Sequence, residues 1–441
     1  MHSELIIIGA GPGGYETAVA AAKQGKHVTI FEASALGGTC LNVGCIPTKC
    51  FCRNAEIIDN LKEASSFGID ELSYNFNFAK VIERKNAVVS QLQSGVATLL
   101  NNPLITLVNG KASFKDSNTV TANGEEYSAD KIIIATGSEP KFLPIDGAHL
   151  PNVLTSDDLL SIDHVPATLC IIGGGVIGLE FASIFNSFGS QVTVVEFCKE
   201  ILPNFDSDIA KRLKQVLSRK GIKFYTSAAV KKISQGEEGL IVEFEQKGKT
   251  QEVACEKALM AVGRKPVLPE GLREANVSFN AHGIEVDDNF HTTSPSEIYA
   301  IGDANGKCML AHAATAQGKY VIGEKVNLDV IPAAVFTNPE AAMVGMTEDA
   351  AKQQGMETIT KKSFFRVNGK ALAMNEPDGM VKLVISSEDS KILGCHIFGL
   401  HAADLIQEIS DLMCKETTID EFATMIHAHP TLGEVLHDAA L

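Results

Sequence analysis

Two cysteines five positions apart, Cys40 and Cys45, stand in the glycine-flanked run Gly37-Gly38-Thr39-Cys40-Leu41-Asn42-Val43-Gly44-Cys45-Ile46-Pro47-Thr48-Lys49. Helix geometry could bring two thiols at this spacing near one another. If the segment is a distorted first turn of a helix, the helix N-terminus and Lys49 both favour a thiolate, the state a redox cysteine needs. The competing readings are chance packing and metal ligation, and a four-residue gap with no second Cys pair argues against structural zinc. Near the other end, His427-Ala428-His429-Pro430-Thr431-Leu432-Gly433-Glu434 sets imidazoles beside a carboxylate. Thiol–disulfide exchange consumes a thiolate, and an imidazole, which ordinarily titrates near ~6.5, is suited to take the proton at neutral pH. A histidine read alone is more often structural or solvated, and His427 and His312 keep that reading.

Two further motifs bind by their backbone. Gly9-Ala10-Gly11-Pro12-Gly13-Gly14 follows an apolar run and opens an Ala-rich segment at residues 17–24; a strand at 27–31 then ends in Glu32. Gly9 allows the tight turn, Gly11 lets the backbone approach a pyrophosphate, Gly14 permits close helix–strand packing, and Glu32 accepts from a ribose. The same grammar returns at Gly173-Gly174-Gly175-Val176-Ile177-Gly178, a helix through about 188, and a strand at 191–195 ending in Glu196. In both copies the acid falls 23 positions after the first glycine, 9 to 32 and 173 to 196. The chain therefore reads as carrying two dinucleotide sites. In the second, Gly173, Gly175 and Gly178 cradle the phosphates. Glu196 there suits a 2′-hydroxyl and repels a 2′-phosphate, and Phe197 and Cys198 bring no cation, so NAD is expected rather than NADP.

The elements that must position these groups set the fold class: α/β, with two Rossmann-like dinucleotide-binding domains and a C-terminal α+β domain. Residues 258–266, Ala-Leu-Met-Ala-Val-Gly-Arg-Lys-Pro with Gly263 at the turn, echo residues 132–140 with Thr136 and Gly137 at theirs. Residues 297–303 form another buried-strand pattern closed by Gly302 and Asp303, with a helix expected over 310–327. Short strands at 380–386 and 392–398 and a helix near 402–414 indicate an antiparallel terminal domain. Boundaries are expected at 1–150, 151–268, 269–330 and 331–441.

The 441 residues, 45% hydrophobic and 21% charged, leave ample core. A net charge of −16 without a Lys/Arg cluster argues against nucleic acid. No apolar stretch approaches the roughly 20 residues of a membrane span. The N-terminus runs directly into a strand, so a cytoplasmic protein is expected. Ten cysteines in such a chain are not a disulfide framework, and the eight besides Cys40 and Cys45 read as small hydrophobes.

Five blocks, at 9–14, 37–49, 173–180, 299–303 and 427–434, resemble in order those of the pyridine nucleotide-disulfide oxidoreductases over essentially the whole chain, and most closely the dihydrolipoamide dehydrogenase branch. The resemblance implies FAD on the first module, with Glu32 at its ribose, Thr39 near its phosphates, Thr136 and Gly137 lining the site, and Asp303 on the chain between flavin and pyrophosphate. It implies NAD on the second module and a redox disulfide in which Cys45 faces the flavin and Cys40 the substrate. Lys49 and Glu180 would pair beside the flavin, with His429 as base and Glu434 orienting it. It further implies a homodimer, with the C-terminal segment reaching the partner subunit's disulfide, and dihydrolipoamide on a lipoyl domain as substrate, within a 2-oxo acid dehydrogenase complex built on an acyltransferase core or a glycine-cleavage complex. Glutathione-type members generally carry Cys-Val-Pro-Lys-Lys where this chain has Cys45-Ile46-Pro47-Thr48-Lys49. Another disulfide reductase of the family, or a chiefly structural docking flavoprotein, are the alternatives.

Overall fold

The computed structural model describes residues 1–441. The chain forms two compact units, each gathered from three separate stretches. The first comprises Met1–Cys50, Asn77–Lys141 and Gly263–Leu328; the second comprises Phe51–Phe76, Phe142–Val262 and Asp329–Leu441.

In the first unit the apolar runs lie side by side in a seven-stranded sheet. His2–Ile8 sits between Val28–Glu32 and Glu125–Ile134, all parallel, with Ile8 opposite both Phe31 and Ile134. Ile105–Asn109 extends the sheet beyond Val28–Glu32, and Ile298–Ala300 joins Glu125–Ile134 on its other side. Side chains alternate between faces: Leu5, Ile7, Ile30 and Ile133 bury one, and Ile6, Ile8, Phe31, Ile132 and Ile134 the other. Burial on both faces is why these runs are continuously apolar rather than alternating.

The helix Pro12–Lys23 starts earlier than its Ala-rich segment, because Pro12 fits the first helical position, and Gly25 at φ +85 ends it. The helix expected over 310–327 spans only Ala311–Val321, since Gly323 turns left-handed at φ +92. The two echoing segments meet physically: Arg264–Pro266 pairs antiparallel with Ser138–Pro140.

The second unit repeats the parallel plan in a five-stranded sheet that centres on Thr168–Ile172, between Gln191–Val195 and Lys257–Met260. The helix Val176–Phe188 follows the central strand. An antiparallel sheet of Ala228–Gln235, Leu240–Gln246 and Lys249–Cys255 contributes Ile233, Val242 and Phe244 to one core with Cys170, Ile172 and Met260. The last stretch forms a five-stranded antiparallel sheet whose Met380–Ser386 is buried along its whole length and whose core takes in the helix Ala402–Cys414. No helix is long and apolar enough to cross a membrane.

Total burial of that strand includes Lys382, whose Nζ lies 2.9 Å from Asp206 Oδ2, 2.9 Å from Glu348 Oε2 and 3.2 Å from Asp208 Oδ2. Burial alone would push the Lys382 ammonium down, but hydrogen bonds to Asp206 and Glu348 carry it above the usual lysine range. Asp208 is held at about 2 by its hydrogen bond from Lys362, against the opposing effect of burial, and by the charge of Lys382. Lys382→Met strands the Asp206 carboxylate, whose side chain is 4% exposed, and should cost roughly 3–5 kcal/mol in urea unfolding. Because the folded value of Asp208 lies below its ordinary 3.8, its contribution is present above that pH and is lost as pH falls toward 2. The stability gap between wild type and Asp208→Asn should therefore close on acidification from pH 6 to about 2, and a gap that persists undiminished contradicts the assignment.

Candidate active site

Cys40 lies in a short helix, Gly38–Val43, and Cys45 is the first residue of another, Cys45–Lys62. In one unbroken helix, residues five apart are separated by about 7.5 Å along the axis and about 140° around it. The break at Gly44 instead leaves the Cα atoms 4.7 Å apart and the two cysteines joined as a disulfide. A side chain at position 44 would press its Cβ within 2.9 Å of the Thr39 carbonyl oxygen, so the break requires glycine. Thr48 secures the new helix by donating from both its amide and its Oγ1 to Gly44 O, at 3.1 and 2.7 Å. Pro47 falls in the first turn, where no amide is needed. A thiolate released at Cys45 would face the positive end of an 18-residue helix, with Lys49 four residues on.

The two glycine turns are built alike. Gly9 has φ +106, and a Cβ there would collide with the carbonyl of Ala135; Gly173 has φ +112, and a Cβ would collide with that of Ala261. Each glycine donates to the end of the neighbouring strand, Gly9 to Phe31 O and Gly173 to Val195 O, both at 2.9 Å. Gly14 and Gly178 pack so tightly over Gly9 O and Gly173 O that no side chain fits. Gly11 and Gly175 serve as N-caps without any side-chain cap; beyond Pro12, which has no amide, this leaves the Gly13 amide at the start of Pro12–Lys23, and the Val176 and Ile177 amides at the start of Val176–Phe188, for an anion. Space is open at Gly175, where a Cβ meets nothing within 4 Å.

Both acids brace their own turns. Glu32 Oε2 accepts from Ala10 N and Oε1 from Ser34 N, each at 2.8 Å. Glu196 accepts from Gly174 N and, at 2.5 Å, from Cys198 N, and is 7% exposed. Thr39 sits beside the first turn, since Gly37 N donates to Ala10 O at 2.9 Å and a Cβ on Gly38 would come within 2.7 Å of Gly11 Cα. Thr136 Oγ1 donates to Val267 O at 2.5 Å, and Gly137 and Gly263 are left-handed with open space around them. Asp303, in the 3-10 turn Gly302–Asn305, accepts on Oδ2 from Ser138 Oγ at 2.5 Å.

In the second unit, His429 Nδ1 is 2.9 Å from Glu434 Oε1, and Glu434 Oε2 accepts from Thr431 N at 2.8 Å. The Thr431 amide and then His429 hold the Glu434 carboxyl below the usual carboxylate range. An ionised carboxylate only accepts, so the Nδ1 of His429 carries the hydrogen and Nε2 is the basic nitrogen. His427, read from the sequence as structural or solvated, forms a dyad of its own, with Nε2 2.7 Å from Glu408 Oε1. Glu180 is buried on Val176–Phe188, and its Oε1 accepts from Phe336 N at 3.0 Å. Lys49 belongs to the first unit and Glu180 to the second. Of the eight remaining cysteines four are buried and three half-buried as expected of small hydrophobes, while Cys414 is exposed. Ser138 Oγ, which bonds Asp303, also accepts from Arg264 Nε at 2.7 Å; in the sequence the only signal for this pair is the echo between residues 132–140 and 258–266.

Residues 3–318 match the pyridine nucleotide-disulphide oxidoreductase family and residues 331–440 its dimerisation domain. The chain belongs to this family. It is 40% identical to the dihydrolipoyl dehydrogenase of Geobacillus stearothermophilus, with 100% of this chain and 96% of that protein covered. It is 38% identical, over the same shares, to a dihydrolipoyl dehydrogenase of Bacillus subtilis strain 168. The HOCl-induced flavoprotein disulfide reductase RclA from Escherichia coli has a similar structure, with a TM-score of 0.88 at 29% identity and 99% of each chain covered.

Pyridine nucleotide-disulfide oxidoreductases of this kind use FAD and NAD, and the two cradles fit two dinucleotides. Each offers bare helix amides, a glycine with no side chain in the approach and an acid at the end of the second strand. The glycines divide by function. Gly175→Val, at φ −79 with open surroundings, should leave thermal unfolding unchanged and raise the KM for NAD about tenfold or more. Gly178→Ala should lower the melting temperature, because its methyl meets the Gly173 carbonyl. Equal effects of both on stability would contradict this division.

Proposed function

We propose that this flavoprotein oxidises dihydrolipoamide to lipoamide with reduction of NAD, and the observation that carries the reading is the Cys40–Cys45 disulfide seated at the start of Cys45–Lys62. The full-length likeness to dihydrolipoyl dehydrogenases supports the choice of substrate. In the net reaction dihydrolipoamide and NAD⁺ give lipoamide, NADH and a proton. The base is His429, held by Glu434 with Nε2 outward. It takes a proton from one substrate thiol, and the resulting thiolate attacks Cys40 Sγ, forming a mixed disulfide as the Cys40–Cys45 bond breaks. Cys45 leaves as a thiolate stabilised by the helix end and by Lys49. The second substrate thiol, giving up its proton, attacks the sulfur bound to Cys40; lipoamide closes and both cysteines are left reduced. FAD, when bound, supplies the acceptor for the dithiol's electron pair and the hydride donor to NAD.

Glu32, Thr39, Thr136, Gly137 and Asp303 would hold FAD, and Glu196 would hold the ribose of NAD, with Gly263 in the neighbouring turn. Lys49 is proposed for the flavin site and Glu180 for the nicotinamide site. The dimerisation domain supports a homodimer in which His429 serves the partner subunit's disulfide. The lipoyl domain of an acyltransferase core is the proposed partner, and the cytoplasm the proposed compartment. A second reading, an NADH-driven reductase of another disulfide, is favoured by the likeness to RclA.

The deciding assay follows NAD and NADP reduction by dihydrolipoamide beside NADH- and NADPH-driven reduction of glutathione disulfide, with Cys45→Ser as control. Turnover of dihydrolipoamide that depends on Cys45 and prefers NAD is expected; turnover of the other disulfide alone would move the assignment to the second reading. His429→Gln should cut dithiol oxidation by about 10²–10⁴-fold with flavin still bound, and near-wild-type activity would remove His429 from the role of base.

A further inference from the structure

We infer that Arg264, acting through Ser138, is a positioning residue that fixes Asp303 as an acceptor for the flavin's polyol chain. The inference deepens the proposed role of Asp303 in holding FAD and rests on it. The three residues come from distant parts of the chain but lie in one unit. Arg264 opens the strand Arg264–Pro266, which pairs antiparallel with Ser138–Pro140 so that Pro266 stands opposite Ser138 and Arg264 opposite Pro140. From there the guanidinium reaches Ser138 twice, Nε to the hydroxyl Oγ and Nη2 to the backbone oxygen, both at 2.7 Å. Ser138 Oγ in turn lies 2.5 Å from Asp303 Oδ2.

The polarity of this chain of bonds is forced. A guanidinium has donors only, so the Ser138 oxygen accepts from Arg264, and its single hydrogen is committed to Asp303. Ser138 is 6% exposed, so water offers it little alternative and a missing partner would be costly. The main chain of Asp303 is held separately: Gln317 Oε1 accepts from Gly302 N at 2.8 Å and from Asn305 Nδ2 at 3.1 Å, and Asn305 Nδ2 also donates to Ala300 O at 3.0 Å. Gln317 thus sets where the turn lies, and Ser138 sets how the carboxylate is rotated within it. With Oδ2 engaged, Oδ1 is the oxygen left to meet a ligand hydroxyl. The bond to the Ser138 carbonyl would by itself hold the guanidinium against the ribbon, where the opposite residue, Pro266, has no amide to offer; the second bond, to the hydroxyl, is the one that leads to Asp303.

The test is reconstitution of apoprotein with FAD, reading the dissociation constant and the visible flavin spectrum for Ser138→Ala, Arg264→Met, their double variant and Asp303→Asn, with circular dichroism melts as the check on folding. Ser138→Ala and Arg264→Met should each raise the FAD dissociation constant roughly tenfold and shift the flavin bands alike, and the double variant should be no worse than Ser138→Ala. Arg264→Met leaves the buried serine in place and carries the test should the alanine variant not fold. Effects that multiply in the double variant, or an unchanged dissociation constant and spectrum in either single variant of a folded protein, overturn the relay. If Asp303→Asn binds FAD as the wild type does, the flavin role of Asp303 falls and the relay's purpose with it; if Asp303→Asn alone weakens binding, only the relay is lost.

Discussion

A helix that begins where a buried strand ends leaves backbone amides without partners, and the turn between the two brings carbonyl oxygens so close that side chains are excluded. Gly9 against Ala135 and Gly173 against Ala261 are the two places where this chain meets that constraint. Each glycine amide bonds the second strand, each third glycine packs over the carbonyl of the first, and each acid folds back onto the turn. The sheets on either side are arranged to hold these turns still: both faces of His2–Ile8 are sealed in apolar packing, so the strand end cannot drift. The dinucleotide cradles are therefore backbone features, and the side chains around them mainly keep the backbone rigid.

The chemistry is placed by the opposite device, an interruption. A continuous helix would carry Cys40 and Cys45 apart, and the break at Gly44 brings them together while starting a new helix at the second cysteine. His429 is handled similarly, on irregular chain but steered by Glu434, whose other oxygen is anchored on the Thr431 amide. In both places a flexible reactive group is given one orientation by a bond from a nearby and better fixed neighbour.

Much of this was legible because it depends on local residue types. Gln191–Val195, Met380–Ser386 and Ala402–Cys414 stand at the positions their apolar patterns indicated, and both glycine turns do what their spacing required. The long helix Phe78–Leu100 was not seen, because much of its surface is exposed and only Phe78, Val81, Lys85, Val96 and Leu100 are buried in it. The hairpins of Ala228–Cys255 are masked by alternating lysines, glutamates and glutamines on their solvent face. Arg264, Ser138 and Asp303 lie 126 and 165 positions apart, and only folding makes them neighbours. A glycine that breaks a helix, as Gly44 does, reads in a sequence like any loop glycine.

The assembly of the first unit from three stretches bears on how the protein comes into being. Its sheet is completed by Ile298–Ala300, almost three hundred residues after His2–Ile8. On a ribosome, Cys40 and Cys45 emerge long before the strand that closes their unit, and the sheet beside them stays unfinished while the intervening residues of the second unit are made. Completion of the sheet that carries the first glycine turn therefore waits until about two-thirds of the chain has been made, and a nascent chain arrested midway would leave the edge of Glu125–Ile134 open.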